Sequence, residues 1–263
     1  MTVRTRVLLS ALFGGALYAQ SAGPAAGSLI VIGGGQVGPE IMDRFMALAG
    51  GADSPVVIIP TAGDDNTYPA DYAAKSLLAK AGFKQVTALH TRDRKVADTE
   101  EFVAPLRAAK AVWFGGGRQW RLANSYLGTR THRELTALLA RGGVIAGSSA
   151  GATIQGSYLV RGAREGNALM MAPGYEEGLG FLRRVAVDQH LLKRKRENDM
   201  VEVVTKHPEL LGIGIDESTA IEVHGDKFSV IGVSKVAIYE HGKKYYFLEP
   251  GSRFDMSSRR RSR

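Results

Sequence analysis

The 263-residue sequence predicts an α/β fold: a mostly parallel sheet sandwiched by helices, with antiparallel hairpins at its C-terminal end. Three observations carry this. Short, continuously apolar runs alternate with amphipathic segments through the first 150 residues, the pattern of strands buried on both faces. Most of those runs stop at Gly-rich or polar turns, where a strand hands over to a helix. Toward the end of the chain the spacers shrink to turns of four residues, such as His224-Gly225-Asp226-Lys227, which join antiparallel neighbours.

Taken in order, residues 28–32 are the first strand, closed by Gly33-Gly34-Gly35 and followed by an amphipathic helix over 39–48. Residues 56–60 are the second strand, ending in the loop 61–67, and 68–81 read as one helix. A strand over 86–90 and a helix over 100–109 follow. The strand 111–114 ends in Gly115-Gly116-Gly117-Arg118-Gln119. Helices over 120–127 and 131–141 lead into Val144-Ile145-Ala146, which stops at Gly147-Ser148-Ser149-Ala150-Gly151. Residues 184–187 are a strand ending at Asp188-Gln189-His190, and the charged stretch 193–199 opens a helix that ends near Lys206. The strand 212–215 ends at Asp216-Glu217. Hairpins pair 219–223 with 228–233 and 236–239 with 244–248, and both are expected as an antiparallel edge on the parallel sheet. No internal repeat or interdomain linker interrupts residues 23–256, which read as one domain.

Composition narrows the function. There is no cysteine, so thiol catalysis, disulfides and thiolate metal sites are excluded. Arg4 and Arg6 precede an apolar run over 7–17, and small residues follow at Ala19, Ser21 and Ala22. That order reads as a signal peptide over 1–22, cleaved after Ala19 or near Ala22, with 21–28 as a short flexible leader. Export to the periplasm or medium, with no stable membrane anchor, is the expectation. The net charge of +8 is concentrated at the ends: two arginines lie in 1–22 and four in 257–263, which leaves +2 for the body. The basic tail 257–263 is expected to be disordered, and a balanced body argues against nucleic acid as the partner.

Ligands of open α/β sheets gather beyond the carboxyl ends of the strands. Those ends collect a serine, a histidine and acids. A serine on a tight strand-to-helix turn has its hydroxyl lifted from the sheet, beside the free N–H groups of the new helix. A nucleophilic serine also needs a base, and the base an acid to hold its tautomer. Ser149, His190 and Glu217 fit those roles. His90, also at a strand end, is the rival base, and Glu165 or Asp216 the rival acid. His132, His207, His224 and His241 lie at helix ends and turns and read as structural. No metal-ligand spacing stands out, and no cofactor is expected. Gly33-Gly34-Gly35-Gln36-Val37-Gly38 matches a dinucleotide fingerprint in form, but the second strand does not end on the acid that would bind a ribose. These glycines more simply let the backbone approach the cleft closely.

Four separated segments resemble the S51 serine peptidases, and within them the branch that degrades cyanophycin. Gly147-Ser148-Ser149-Ala150-Gly151-Ala152 resembles the family's G-T-S-A-G-A, with Ser148 where threonine is usual. Phe114-Gly115-Gly116-Gly117-Arg118-Gln119 resembles F-T-G-G-D/N-Q. Asp188-Gln189-His190 with Arg194 and Arg196 resembles D-Q-H-F-x-x-R-x-R, and residues 212–217 resemble G-I-G-I-D-E. The resemblance implies a fold like that of class I glutamine amidotransferases, flavodoxin-like in its sheet. It also implies a Ser149–His190–Glu217 triad, an oxyanion hole from the N–H groups of Gly117 and Ala150, and a substrate cleft lined by Gln119, Asp188, Gln189, Arg194 and Arg196. The implied substrate is cyanophycin, a polyaspartate carrying arginine on each side chain, released as β-Asp-Arg, or else a short aspartyl or isoaspartyl dipeptide. A homodimer is implied as well. In this reading Arg194 and Arg196 pair with a substrate carboxylate and Asp188 meets a substrate guanidinium. Arg118 and Leu191 depart from the family pattern beside the cleft, where they bear on substrate choice. A binding module that kept the fold without catalysis is the competing reading from another class.

Overall fold

A computed structural model describes residues 21–262; the expected signal segment before Ser21, and Arg263, lie outside them. The strands of the parallel half are β1 (Ser28–Ile32), β2 (Pro55–Ile59), β3 (Gln85–Ala88), β4 (Ala111–Phe114) and β5 (Val144–Ser148). After them come β6 (Gly156–Tyr158), β7 (Leu182–Gln189), β8 (Leu211–Ile215), β9 (Thr219–His224), β10 (Lys227–Gly232), β11 (Val236–Tyr239), β12 (Tyr246–Leu248), β13 (Arg253–Asp255) and β14 (Arg260–Ser262). Helices fill the crossovers. They are α1 (Pro39–Ala49), α2 (Tyr72–Lys75), α3 (Leu77–Lys80), α4 (Arg94–Ala97), α5 (Glu100–Ala108), α6 (Gln119–Tyr126), α7 (Arg130–Ala140), α8 (Ala150–Thr153) and α9 (Asp199–Lys206).

The main sheet runs β14-β13-β10-β9-β1-β5-β4-β2-β3. From β1 to β3 every pairing is parallel, and from β1 to β14 every pairing is antiparallel. Continuous apolar strands are required because both faces are covered. Val31, Ile59, Phe114 and Ile145 enter one core, while Ile32, Ile58, Trp113 and Ala146 enter the other. Helix α1 starts on Pro39, which has no N–H to leave orphaned, and stops on Gly50 in the left-handed region. Its Phe45 is fully buried and meets Trp113 edge to face at 5.2 Å.

The structure departs from the sequence reading in several places. Strands β6, β7 and β8 do not join the main sheet; with β11 and β12 they form a second sheet, β12-β11-β8-β7-β6. Of the two expected hairpins only β9–β10 joins the main sheet, pairing with β1 and continued outward by β13 and β14, whereas β11–β12 extends β8. The two sheets share a core through Ala150, Ala152 and Ile154 of the α8 region. The expected helix over 68–81 is two single turns, because Ser76 is extended between them. Its hydroxyl donates to Ala73 O and accepts from Ala79 N–H, closing one turn and capping the next. Residues 21–28 are not a flexible leader. The Ala22 N–H donates to Asp226 at 2.5 Å, its carbonyl accepts from Arg183 N–H at 2.6 Å, and Ala22 is buried. The basic tail is not disordered through Ser262 either: β14 pairs antiparallel with β13. An edge strand needs only backbone partners, so its arginines stay in solvent, and Arg261 lies over the Tyr246 ring at 5.7 Å. No helix among the described residues is long and apolar enough to cross a membrane.

Truncating Phe45 to Ala empties a site with no exposure between α1 and the sheet. It should cost about 3–5 kcal/mol of unfolding free energy, read as a lowered denaturant midpoint at unchanged m-value.

Candidate active site

Ser149 stands between the end of β5 and the start of α8, with φ 56° and ψ −110°. A non-glycine residue holds such angles only when its surroundings enforce them. Its own N–H donates to Ile32 O at 3.0 Å, and the short helix behind it is built from Ala and Gly, which pack closely under the turn. His190 follows β7, also in the left-handed region at φ 55°, and its N–H donates to Gly33 O at 2.8 Å. Glu217 follows β8, and the N–H of its neighbour Ser218 donates to Gly34 O at 2.9 Å. Successive carbonyls at the end of β1 therefore hold all three elements. Gly34 and Gly35 have positive φ, and a Cβ at Gly34 would lie 2.3 Å from the His190 ring, one at Gly35 2.8 Å from Glu217. The glycine run is needed for close approach to these side chains.

The side chains meet in a line. Ser149 Oγ is 2.9 Å from His190 Nε2, and His190 Nδ1 is 2.6 Å from Glu217 Oε1. With Nδ1–H donated to the carboxylate, Nε2 is the acceptor for the serine hydroxyl. His190 is only 7% exposed. Burial holds its pKa below the ordinary histidine value, and the nearby positive charges of Arg194 and Arg196 act in the same direction; the Glu217 hydrogen bond opposes them. The resting imidazole is thus neutral near pH 7 and can accept a proton. The N–H groups of Gly117 and Ala150 donate to no backbone carbonyl among the described residues, whereas that of Arg118 is taken by Ala62 O.

The rival acid and base are committed elsewhere. Asp216 accepts from the N–H groups of Leu192 and Lys193 and from the Ser234 hydroxyl. Glu165 is exposed. His90 bonds Thr61 through Nδ1 and Asn66 O through Nε2, each at 2.9 Å.

The five expected substrate-lining residues divide. Asp188 is fully buried, and both its oxygens accept from Arg161, at 2.8 Å each. It is therefore not placed to meet a substrate guanidinium. Gln119 is buried and donates to the carbonyls of Val160 and Arg161, and the Gln189 side chain accepts from Arg196 at 2.6 Å. Donors unpartnered among the described residues remain on the exposed Arg194, on Nε and Nη2 of the buried Arg196, and on Nε2 of Gln189. Sequence reasoning missed Arg161 and Asp199, which complete this buried network, because no local pattern marks a lone arginine in a loop. It also missed a cleft beside Ser149. That cleft, of about 740 Å³, is walled by Gly116, Val37, Met42, Leu77 and Trp113, and Lys80 is the one charged residue lining it among the described residues.

A family model described as peptidase family S51 matches residues 29–231. The chain belongs to peptidase family S51. Among its S51 relatives, a cyanophycinase of Geminocystis herdmanii is 33% identical over 81% of this chain and 80% of that protein. A cyanophycinase of a Nostoc species is 31% identical over 85% and 76% of the two chains. A peptidase E of Citrobacter koseri is 28% identical over 75% and 85%. In three dimensions, a peptidase from an acI-B1 Actinobacterium aligns at TM-score 0.69 and 26% identity, covering 91% of this chain and 100% of its own. A candidate peptidase E from Listeria monocytogenes shares the fold at TM-score 0.57 and 18% identity, over 80% of this chain and 100% of its own. The protein is thus an S51 peptidase, a serine hydrolase by class. Of the departures from the family pattern, Arg118 ties the loop after β4 to Ala163 O at 2.5 Å. Leu191 is buried, packed against Gly214.

With His190 as the proposed base, activity should rise with pH as His190 loses its proton, and its lowered pKa moves that limb toward acid. The acid limb of kcat/KM is expected below the ordinary histidine value of about 6.5. A limb at or above that value would contradict the neutral resting imidazole.

Proposed function

We propose that the protein is a serine-type exopeptidase that cleaves at aspartyl linkages, with cyanophycin as substrate and β-Asp-Arg as product. The observation that carries this reading is the Ser149–His190–Glu217 line, at 2.9 and 2.6 Å. In it, Ser149 Oγ attacks the scissile carbonyl carbon while its proton passes to His190 Nε2. Glu217 keeps Nδ1 protonated and stabilises the imidazolium. The oxyanion of the tetrahedral intermediate accepts from the N–H groups of Gly117 and Ala150. Collapse breaks the C–N bond, His190 returns the proton to the leaving amine, and an acyl-serine remains. Water then repeats the sequence, releasing the acid and restoring the serine. Arg194 and Arg196 supply the positive charge that suits a free carboxylate beside a β-aspartyl bond. The relatives named cyanophycinases support the polymer as substrate.

A second reading keeps the same chemistry on short Asp-X dipeptides. The cleft beside Ser149 favours it: apolar walls and a lone Lys80 suit an uncharged side chain better than an arginine. The N-terminal order of basic, apolar and small residues supports export in either case.

Ser149→Ala should lower kcat by roughly 10³-fold or more with an unchanged thermal midpoint. Release of β-Asp-Arg from cyanophycin, compared with hydrolysis of Asp-Arg and Asp-Leu dipeptides, separates the two substrate readings. An active Ser149→Ala variant would sink both.

A further inference from the structure

Behind the exposed Arg194 lies a charge network of Arg161, Asp188, Arg196 and the half-buried Asp199. Arg161 follows β6 and is 2% exposed. Its Nε and Nη2 donate to the two oxygens of Asp188 at 2.8 Å, Nη2 also donates to Asp199 at 2.6 Å, and Nη1 donates to Asn167 O at 2.8 Å. That leaves this guanidinium no freedom to meet a ligand. Arg196 approaches the same carboxylate but stops at 3.8 Å, outside hydrogen-bond range, and spends Nη1 on Gln189. Two arginines thus compete for one buried aspartate. The planar fork of Arg161 takes both oxygens and wins.

This outcome matters because of where Asp188 sits, two residues before His190 on β7. If Arg196 closed onto Asp188, its charge would be cancelled and its free nitrogens turned inward. With Asp188 already neutralised, Arg196 keeps its charge and two unpartnered nitrogens beside the exposed Arg194. The carbonyl of Arg161 also accepts from Gln119, which follows the Gly117 loop, so one residue ties the loop after β4 to the end of β7.

The geometry points to Arg161 as a positioning residue for substrate recognition: by occupying Asp188 it reserves Arg196 for a substrate carboxylate. This rests on the reading that Arg194 and Arg196 meet that carboxylate.

The test compares a β-aspartyl substrate bearing a free α-carboxylate with the same substrate capped as the carboxamide. Arg161→Gln should raise KM for the free acid about 10- to 100-fold, the change expected for a lost charged hydrogen bond, with kcat within a few-fold and the capped substrate unaffected. Labelling of Ser149 by a serine-directed fluoride should keep its rate. Arg161→Gln combined with Asp188→Asn removes the competing carboxylate and the buried unpaired charge, and it should restore KM. It also serves as the test protein if Arg161→Gln alone does not fold. Equal losses on free and capped substrates, or a folded double variant without recovery, would overturn the role of Arg161. If Arg196→Gln fails to discriminate the two substrates, the underlying carboxylate reading fails instead.

Discussion

Three successive carbonyls at the end of β1, those of Ile32, Gly33 and Gly34, accept from the N–H groups of Ser149, His190 and Ser218. Each donor lies in the turn that follows a different strand, β5, β7 and β8. A serine, a histidine and a glutamate from distant parts of the chain are brought to hydrogen-bond distance because one short stretch of backbone holds all three turns. The arrangement tolerates left-handed conformations at Ser149, His190 and Ser218, each costly for a residue with a Cβ. Rigid parallel strands on one side and the second sheet on the other over-determine those conformations, as strained functional turns require.

Electrostatics is layered on that frame. Near the serine, burial and two arginines keep His190 uncharged, while Glu217 fixes which nitrogen carries the proton. One layer down, Arg161 and Asp188 pair completely in the interior. Burying a charge pair is not a source of stability in itself, because desolvation offsets much of the attraction. Its consequence here is placement: it keeps Arg196 3.8 Å from Asp188, with Nε and Nη2 unpartnered among the described residues. The surroundings differ in character: Arg194 and Arg196 lie near enough to His190 to lower its pKa, whereas the cleft beside Ser149 is lined by Trp113 and Leu77.

The edges of the molecule follow the same economy of backbone partners. Residues 21–24 lie over the β9–β10 turn through Asp226, and β14 closes the far edge of the main sheet. Both segments carry few apolar side chains. Main-chain pairing orders β14, and bonds to the Asp226 carboxylate and from the Arg183 N–H hold residues 21–24; composition reports neither.

The sequence by itself determined the alternation of strands and helices and the placement of Ser149, His190 and Glu217 after different strands. Those features are local: apolar runs, glycine turns and a small-residue helix start are legible wherever the chain folds. Tertiary structure alone decided the division into two sheets, since a buried strand reads the same in either. It decided that Asp188 faces Arg161 rather than the cleft, because a carboxylate's partner depends on which of several arginines lies nearest in space. It decided, too, that the glycines after β1 pack on His190 and Glu217. Side-chain contacts between residues far apart in the chain have no signature in the chain's own order.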